Sequence, residues 1–120
     1  MIHETTVSAS DCPALKGMEL LERKWILQIL HALAGGRARF CALQDSIGEL
    51  NSVTLSRRLK LLEDQKIVTR EVIHELPPWV EYELTEMGVD LIKVIDAIEV
   101  WCDKWEMAGA EAAASPVSVN

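Results

Sequence analysis

The sequence predicts a mainly α fold that carries a small β-hairpin, an α+β architecture. Apolar residues recur at spacings of three and four in five segments, which is typical of amphipathic helices. From Ile67 onward the pattern changes to β-branched alternation interrupted by two prolines, which is typical of a hairpin. The predicted order is four helices, a hairpin and a last helix. A short helix, a turn, a second helix and a hairpin in succession indicate a winged helix-turn-helix.

One folded domain is expected over residues 12–108, between a flexible segment at 1–11 and a disordered tail at 109–120. A chain of 120 residues that is 49% hydrophobic can bury a core without disulfides or metals. No apolar run approaches the ~20 residues that span a bilayer, and the first residues lack a signal-peptide pattern. A cytoplasmic protein with no membrane partner is therefore expected.

The first two helices are predicted from their ends and their apolar stripes. Pro13 suits a first helical position, with Cys12 as the N-cap before it. Two glycines after Ala34 provide the stop of the second helix, which is predicted to lie in the core. The apolar positions of that helix are Trp25, Ile26, Ile29, Leu30 and Leu33.

A helix-turn-helix follows. Its first helix is predicted from about Ala38 to Ile47 and is broken at Gly48. Asn51 or Ser52 can cap the second helix, whose apolar positions share one face and leave a polar, basic face toward solvent. These apolar positions are Leu55, Leu59 and Leu62.

The hairpin is predicted over residues 67–84, with Pro77 and Pro78 at its tip. Thr85 can cap a last helix that runs to about Glu106. The apolar face of this helix is wider than a small domain needs for its own core, which favours a partner helix over the alternative of a monomer's core helix.

Charge is distributed unevenly along the chain. The formal net charge of −7 argues against a protein that coats nucleic acid without specificity. Residues 51–70, however, contain five basic and two acidic side chains, a net charge of +3, which leaves −10 for the remainder. The hairpin has one basic and four acidic side chains, so the second helix of the motif is expected to dominate contacts with DNA.

This arrangement suits double-stranded DNA, because the second helix fits a major groove and the hairpin can approach the backbone or the minor groove. The alternative to DNA contact is that the polar face of the second helix is an ordinary solvent-exposed surface. Two interpretations of Arg39 are open. It binds a DNA phosphate, or it is an exposed arginine with no function. Trp79 is expected to pack on the prolines or the last helix rather than wedge into a groove, and Arg58 to brace the motif through a carboxylate. The predicted DNA-binding residues are Arg39, Ser52, Val53, Thr54, Ser56, Arg57, Lys60, Pro77 and Pro78.

The chain resembles the HxlR-type regulators of bacteria and archaea over roughly residues 12–105. The matching residues are Cys12-Pro13, Lys24-Trp25 with the run to Leu33, Arg39-Phe40, Leu43, Leu55, Arg58, Leu59, Leu62, Glu63, and the PPxVEYxLTxxG segment from Pro77 to Gly88. The chain departs from the pattern at Lys66, where a Gly is usual, at Trp79, where a basic residue is common, and at Asn51, where Ser is usual.

This resemblance implies a homodimer, built through the first and last helices, that binds palindromic operators. It also implies a response to electrophiles, oxidants or other small-molecule effectors. The predicted dimer-interface residues are Leu15, Met18, Leu91, Ile95, Ile98, Trp101, Cys102 and Trp105.

The three cysteines are far apart and show no CxxC spacing, so reduced thiols are expected. Cys12, at a helix N-terminus where the dipole favours a thiolate, is the sensor candidate, although Asp11 opposes this effect. The alternative is an inert thiol at an interface. Cys41 and Cys102 are expected to be packing residues.

The sequence shows no catalytic machinery. Its histidines, His3, His31 and His74, are scattered, and it has neither a nucleophile elbow nor a phosphate loop, so no enzyme, metal or cofactor is expected. Two other functions remain open: a winged-helix protein-interaction module that has lost strong DNA binding, and a small-ligand or enzymatic domain with a tryptophan-lined pocket.

Overall fold

The computed structural model describes residues 12–105. The predictions for 1–11, 106–108 and 109–120 lie outside these residues. Over the described range the chain forms five helices and three strands, in agreement with the mainly α, winged helix-turn-helix prediction. The elements are α1 (Pro13–Leu21), α2 (Ile26–Leu33), β1 (Ala38–Arg39), α3 (Phe40–Ile47), α4 (Ser52–Asp64), β2 (Val68–His74), β3 (Trp79–Leu84) and α5 (Glu86–Lys104).

The core is built around α2. Ile26, Ile29, Leu30 and Leu33 are fully buried, as the apolar spacing of this helix predicts. Trp25 is different, because it is the N-cap residue with a φ of 80° and is only half-buried, so the helix begins one residue after the predicted apolar face. The other buried core residues are Leu43, Leu50, Leu55, Leu59, Leu62, Ile67, Val68, Tyr82 and Ile95.

The turn between α3 and α4 is fixed by its own side chains. Gly48 ends α3 with a φ of 93°, a conformation that costs glycine little. Leu50 is buried, and its carbonyl accepts a 3.1 Å hydrogen bond from the Gln44 side chain. The Asn51 side chain accepts a 2.9 Å hydrogen bond from the Thr54 backbone N–H, which identifies Asn51 as the predicted cap of α4.

The C-terminal end of α4 is capped by a Schellman motif. The backbone N–H of Ile67 donates to the Leu62 carbonyl at 2.9 Å, and that of Lys66 donates to the Glu63 carbonyl at 3.0 Å. Lys66 has a φ of 66°, a left-handed conformation that explains why glycine is common at this position in similar sequences. The turn places the start of β2 directly against the end of α4.

The sheet has three strands in the order β1-β3-β2, all antiparallel. The two-stranded hairpin was predicted, whereas β1 was not. Ala38 and Arg39 were predicted to open the third helix but instead pair with Tyr82 and Glu81 on the free edge of β3. The helix therefore begins at Phe40, because the two preceding residues satisfy their backbone groups in the sheet.

Thr85 joins the sheet to the last helix. Its hydroxyl lies 2.7 Å from the Lys66 carbonyl oxygen and accepts a 3.1 Å hydrogen bond from the Gly88 N–H, as expected for the cap of α5. A Cβ at Gly88 would lie 2.3 Å from the Ile67 carbonyl oxygen, so only glycine allows this approach. This junction fixes the hairpin, the end of α4 and the start of α5 relative to one another.

Within residues 12–105, no helix is long and apolar enough to cross a membrane.

Candidate nucleic-acid interface

The outward face of α4 is the main predicted contact surface. Its apolar side packs into the core, because the three leucines predicted for that side, Leu55, Leu59 and Leu62, are buried. The opposite side is open to solvent, and Thr54, which the N-cap holds, is half-buried. The exposed residues on this side are Ser52, Val53, Ser56, Arg57 and Lys60. The helix thus presents hydroxyls and two cations on a rigid support.

The two cations of this face differ in their surroundings. Lys60 forms a 3.2 Å ion pair with Asp64, one turn along the helix, and both side chains are exposed. An exposed pair of this kind contributes at most about 1 kcal/mol, so a phosphate can displace the carboxylate. Within residues 12–105, Arg57 forms neither an ion pair nor a side-chain hydrogen bond. Arg57 is therefore fully free to bind an acceptor.

Arg58 lies on the flank of α4 and braces the motif. Its Nε donates a 2.8 Å hydrogen bond to the backbone carbonyl of Lys24, in the turn between α1 and α2. A carboxylate partner was predicted; the acceptor is instead a backbone oxygen that the turn leaves unpaired. This bond ties the orientation of α4 to the turn after α1.

The tip of the hairpin is formed by residues 75–78. Pro77 and Pro78 are exposed there, as the sequence predicts, together with Leu76. The tip carries no cation of its own. Its approach to DNA would consequently use backbone and apolar groups.

Trp79 contacts residues that the sequence did not predict as its partners. The Arg39 guanidinium carbon lies 4.1 Å from the centre of the indole ring. The centre of the His74 ring lies 6.0 Å from the indole centre, in an edge-to-face arrangement. The indole Nε1 donates a 2.9 Å hydrogen bond to Glu81 Oε2. Packing on the prolines or on the last helix stays a prediction, and the pairing of β1 with β3 brings Arg39 to this ring as well.

Arg37 was missed by sequence reasoning. Its guanidinium forms ion pairs with Glu71 and, through Nε at 2.8 Å, with Glu81. Two of the four acidic residues of the hairpin therefore have a cationic partner. No local pattern signals this, since the partners are 34 and 44 positions away along the chain and meet only in the three-stranded sheet.

A second surface is apolar and lies on α1 and α5. Helix α1 has no fully buried residue, and Met18 is 54% exposed. On α5, Trp101 is 54% and Trp105 is 63% exposed, whereas Ile95 is only 8% exposed and belongs to the chain's own core. Sequence reasoning missed Met87, which is exposed at a position in step with the predicted face. The exposed apolar residues of this surface are Leu15, Met18, Met87, Val94, Ile98, Trp101 and Trp105.

The cysteines occupy three separate places. Cys12 is the N-cap residue of α1 and half-buried, but its side chain makes no capping hydrogen bond. Cys102 is half-buried, whereas Cys41 is exposed on α3. The prediction that Cys41 is a packing residue is wrong, because the first turn of α3 directs it to solvent.

Other predicted chemistry is not brought together. Over residues 12–105, no group of three histidine, cysteine or acidic side chains could hold a metal ion. The four tryptophans lie on separate parts of the fold: at the start of α2, on β3 and at the end of α5. A pocket lined by tryptophans was one alternative prediction, and the placement of the four rings on three separate elements does not favour it.

The fold and this surface define a transcriptional regulator of the helix-turn-helix type, and comparisons with known proteins agree. The HxlR-like helix-turn-helix family matches residues 20–110, and the chain belongs to this family. It is 36% identical over 95 residues to the HTH-type transcriptional regulator YodB of Bacillus subtilis (strain 168), a match that covers 78% of this chain and 85% of YodB.

Two solved structures are similar to the whole described fold. Quinone-bound YodB from B. subtilis superposes with a TM-score of 0.68 at 34% identity and covers 78% of this chain and 98% of that one. The redox regulator HypR in its oxidised form superposes with a TM-score of 0.67 at 31% identity and covers 78% of this chain and 96% of that one.

Proposed function

We propose that the protein is a sequence-specific DNA-binding regulator that acts as a homodimer on a pseudo-palindromic operator. The observation that carries this proposal is the division of α4 into a fully buried leucine side and an exposed side with hydroxyls, Arg57 and Lys60. A helix of this kind fits the major groove, where hydroxyl and guanidinium donors can meet base edges and phosphates. A regulator of chromosomal DNA works in the cytoplasm, and no catalytic role is proposed.

A second copy of this chain is the proposed occupant of the apolar surface on α1 and α5. A nine-residue helix with no buried residue gains too little from packing within its own chain, because isolated helices this short are marginal in water. Burial of the exposed face of α1 against a partner supplies the missing stabilisation. Two-fold symmetry would then place the two α4 helices about 34 to 36 Å apart, in successive major grooves.

The DNA surface is tested with a double variant, Arg57→Ala/Lys60→Ala. Fluorescence anisotropy with the intergenic DNA beside the protein's own gene, at several salt concentrations, gives affinity and salt slope. Loss of two phosphate contacts should weaken binding at least tenfold and reduce the salt slope by about two. The matched control is Lys93→Ala, which removes an exposed cation from α5.

Unchanged affinity and slope in the double variant would contradict the assignment of α4. A dimer that shows no DNA binding even at low salt would instead favour a protein-interaction module.

We also propose that Cys12 couples this regulator to oxidants or electrophiles. The support is its place at the N-terminus of α1, within the proposed dimer surface, together with the quinone-bound and oxidised states of the similar structures. Oxidation or alkylation there would alter the packing of α1 and change DNA affinity.

Diamide and a quinone should each change the affinity of the unsubstituted protein severalfold, and Cys12→Ser should abolish both responses. Cys41→Ser serves as the control, because Cys41 is exposed on α3 away from this surface. Responses that persist in Cys12→Ser would contradict the sensor role.

A further inference from the structure

We propose that Trp79, fixed by Glu81, is a positioning residue that holds the Arg39 guanidinium for contact with a DNA phosphate. The cation that the tip of the hairpin lacks would thus be supplied by β1 and oriented by β3. This inference rests on the proposed DNA-binding function and adds to it a role for two residues outside α4.

The geometry is that of a rigid platform. Arg39 lies directly across from Glu81 in the pairing of β1 with β3, and Trp79 lies two residues before Glu81, on the same face of β3. Glu81 uses Oε2 to accept the indole N–H at 2.9 Å and Oε1 to accept Arg37 Nε at 2.8 Å. The ring is therefore held at its nitrogen while its π face carries the Arg39 guanidinium, whose carbon is 4.1 Å from the ring centre.

Stacking leaves the guanidinium able to bind an anion. A ring contacts the flat face of the group, so the N–H donors in its plane stay available, and the positive charge is not neutralised as it would be by a carboxylate. Within residues 12–105, no ion pair or side-chain hydrogen bond uses the Arg39 donors. The nearest acidic group across the strand, Glu81, is already occupied by Arg37 and Trp79.

The position and charge of this group also suit a phosphate. Arg39 is the N-cap residue of α3, the first helix of the motif, and in helix-turn-helix proteins this helix crosses the DNA backbone. The hairpin alone has a net charge of −3, but Arg37 and Arg39 on the adjoining segment reduce this to −1. Arg37 pairs with two of the hairpin's acids, which leaves Arg39 as the cation of the adjoining segment that is available to a phosphate.

The test measures DNA affinity and salt slope for Arg39→Ala, Trp79→Leu, their double variant and Trp79→Phe, with the same intergenic fragment. Leucine keeps apolar bulk without a π face, whereas phenylalanine keeps a face for the cation. Arg39→Ala and Trp79→Leu should each weaken binding about tenfold and reduce the slope by about one. The double variant should be no weaker than either single one, because both remove the same contact. Trp79→Phe should lose less affinity and less slope than Trp79→Leu, because it keeps a π face for Arg39 but not the indole N–H that Glu81 holds.

Circular dichroism spectra and melting curves check that each variant is folded, and Lys93→Ala controls for the loss of an unrelated cation. Additive losses in the double variant, or unchanged affinity and slope in Trp79→Leu, would overturn the inference while leaving the proposed function intact. Absence of salt-dependent binding by the unsubstituted protein would overturn both.

Discussion

At the scale of single residues, Gly88 is the described glycine whose surroundings leave the least room for a side chain. A methyl group there would meet the Ile67 carbonyl oxygen at 2.3 Å and the Leu84 side chain at 3.0 Å. The carbonyl is fixed by hydrogen bonds from Thr85, so it cannot move away without breaking the junction. Gly88→Ala should therefore lower the free energy of unfolding by about 1–3 kcal/mol, as overpacking does elsewhere. Urea denaturation followed by circular dichroism measures this loss.

Gly17 offers a matched control in another helix. A Cβ at this position meets no atom within 4 Å, so only the helix propensity of the residue changes. Gly17→Ala should raise the free energy of unfolding by up to about 1 kcal/mol. Equal effects of the two alanines would show that the close approach at Gly88 does not control stability.

The roles of individual residues were predictable where the partner is nearby in sequence. The caps Asn51 and Thr85 hydrogen-bond three positions ahead, so local spacing identifies them. Arg37 and Trp79 act on residues brought to them by the sheet, and no local pattern signals such partners. Cys41 was misjudged because apolar composition around a cysteine does not tell which side of a short helix it occupies.

At the scale of elements, the five helices and the hairpin follow from the periodicity of their apolar residues. Strand β1 has two residues, which is too short for any alternation, and it exists only because β3 offers an unpaired edge. Its absence from the predictions also hid the contact between Arg39 and Trp79. The exposed side of α4 could be predicted from the sequence of that helix alone. The contact between Arg39 and Trp79 could not, because it depends on the pairing of β1 with β3.

Helix α5 presents its apolar side chains on a face that the single chain leaves uncovered. Trp101→Glu should convert the proposed dimer to a monomer at micromolar concentration, because a charge buried at the interface lacks a partner. Val100→Glu is the control, since Val100 is 66% exposed one position away, on a different side of the helix. Light scattering coupled to gel filtration measures both. A dimer that survives Trp101→Glu and dissociates with Val100→Glu would place the interface on the other side of α5.

At the scale of the whole molecule, charge and apolar surface are segregated. The positive charge is concentrated in residues 51–70, while the remainder of the chain carries −10. The acidic part repels the DNA backbone and leaves α4 as the preferred side of approach. The apolar surface on α1 and α5 shares no residue with the exposed side of α4, so the proposed dimer would leave both α4 helices accessible.

If a partner subunit buries the exposed faces of α1 and α5, the proposed dimer should unfold and dissociate in a single transition. The melting temperature should then rise by roughly 2–4 °C for each tenfold increase in protein concentration, because association favours the folded state. Differential scanning fluorimetry over a hundredfold concentration range measures the shift. The monomeric Trp101→Glu variant should melt at a lower temperature that does not depend on concentration. A constant midpoint for the unsubstituted protein would contradict coupled folding and association.

The hydrogen bond from Arg58 to the Lys24 carbonyl has a mechanical consequence. It ties α4, the proposed DNA-binding helix, to the short turn that follows α1, so a tilt of one favours a tilt of the other. A chemical change at the start of α1 would consequently alter the distance between the two α4 helices of the proposed dimer. No ligand would need to contact the exposed side of α4 for this to happen.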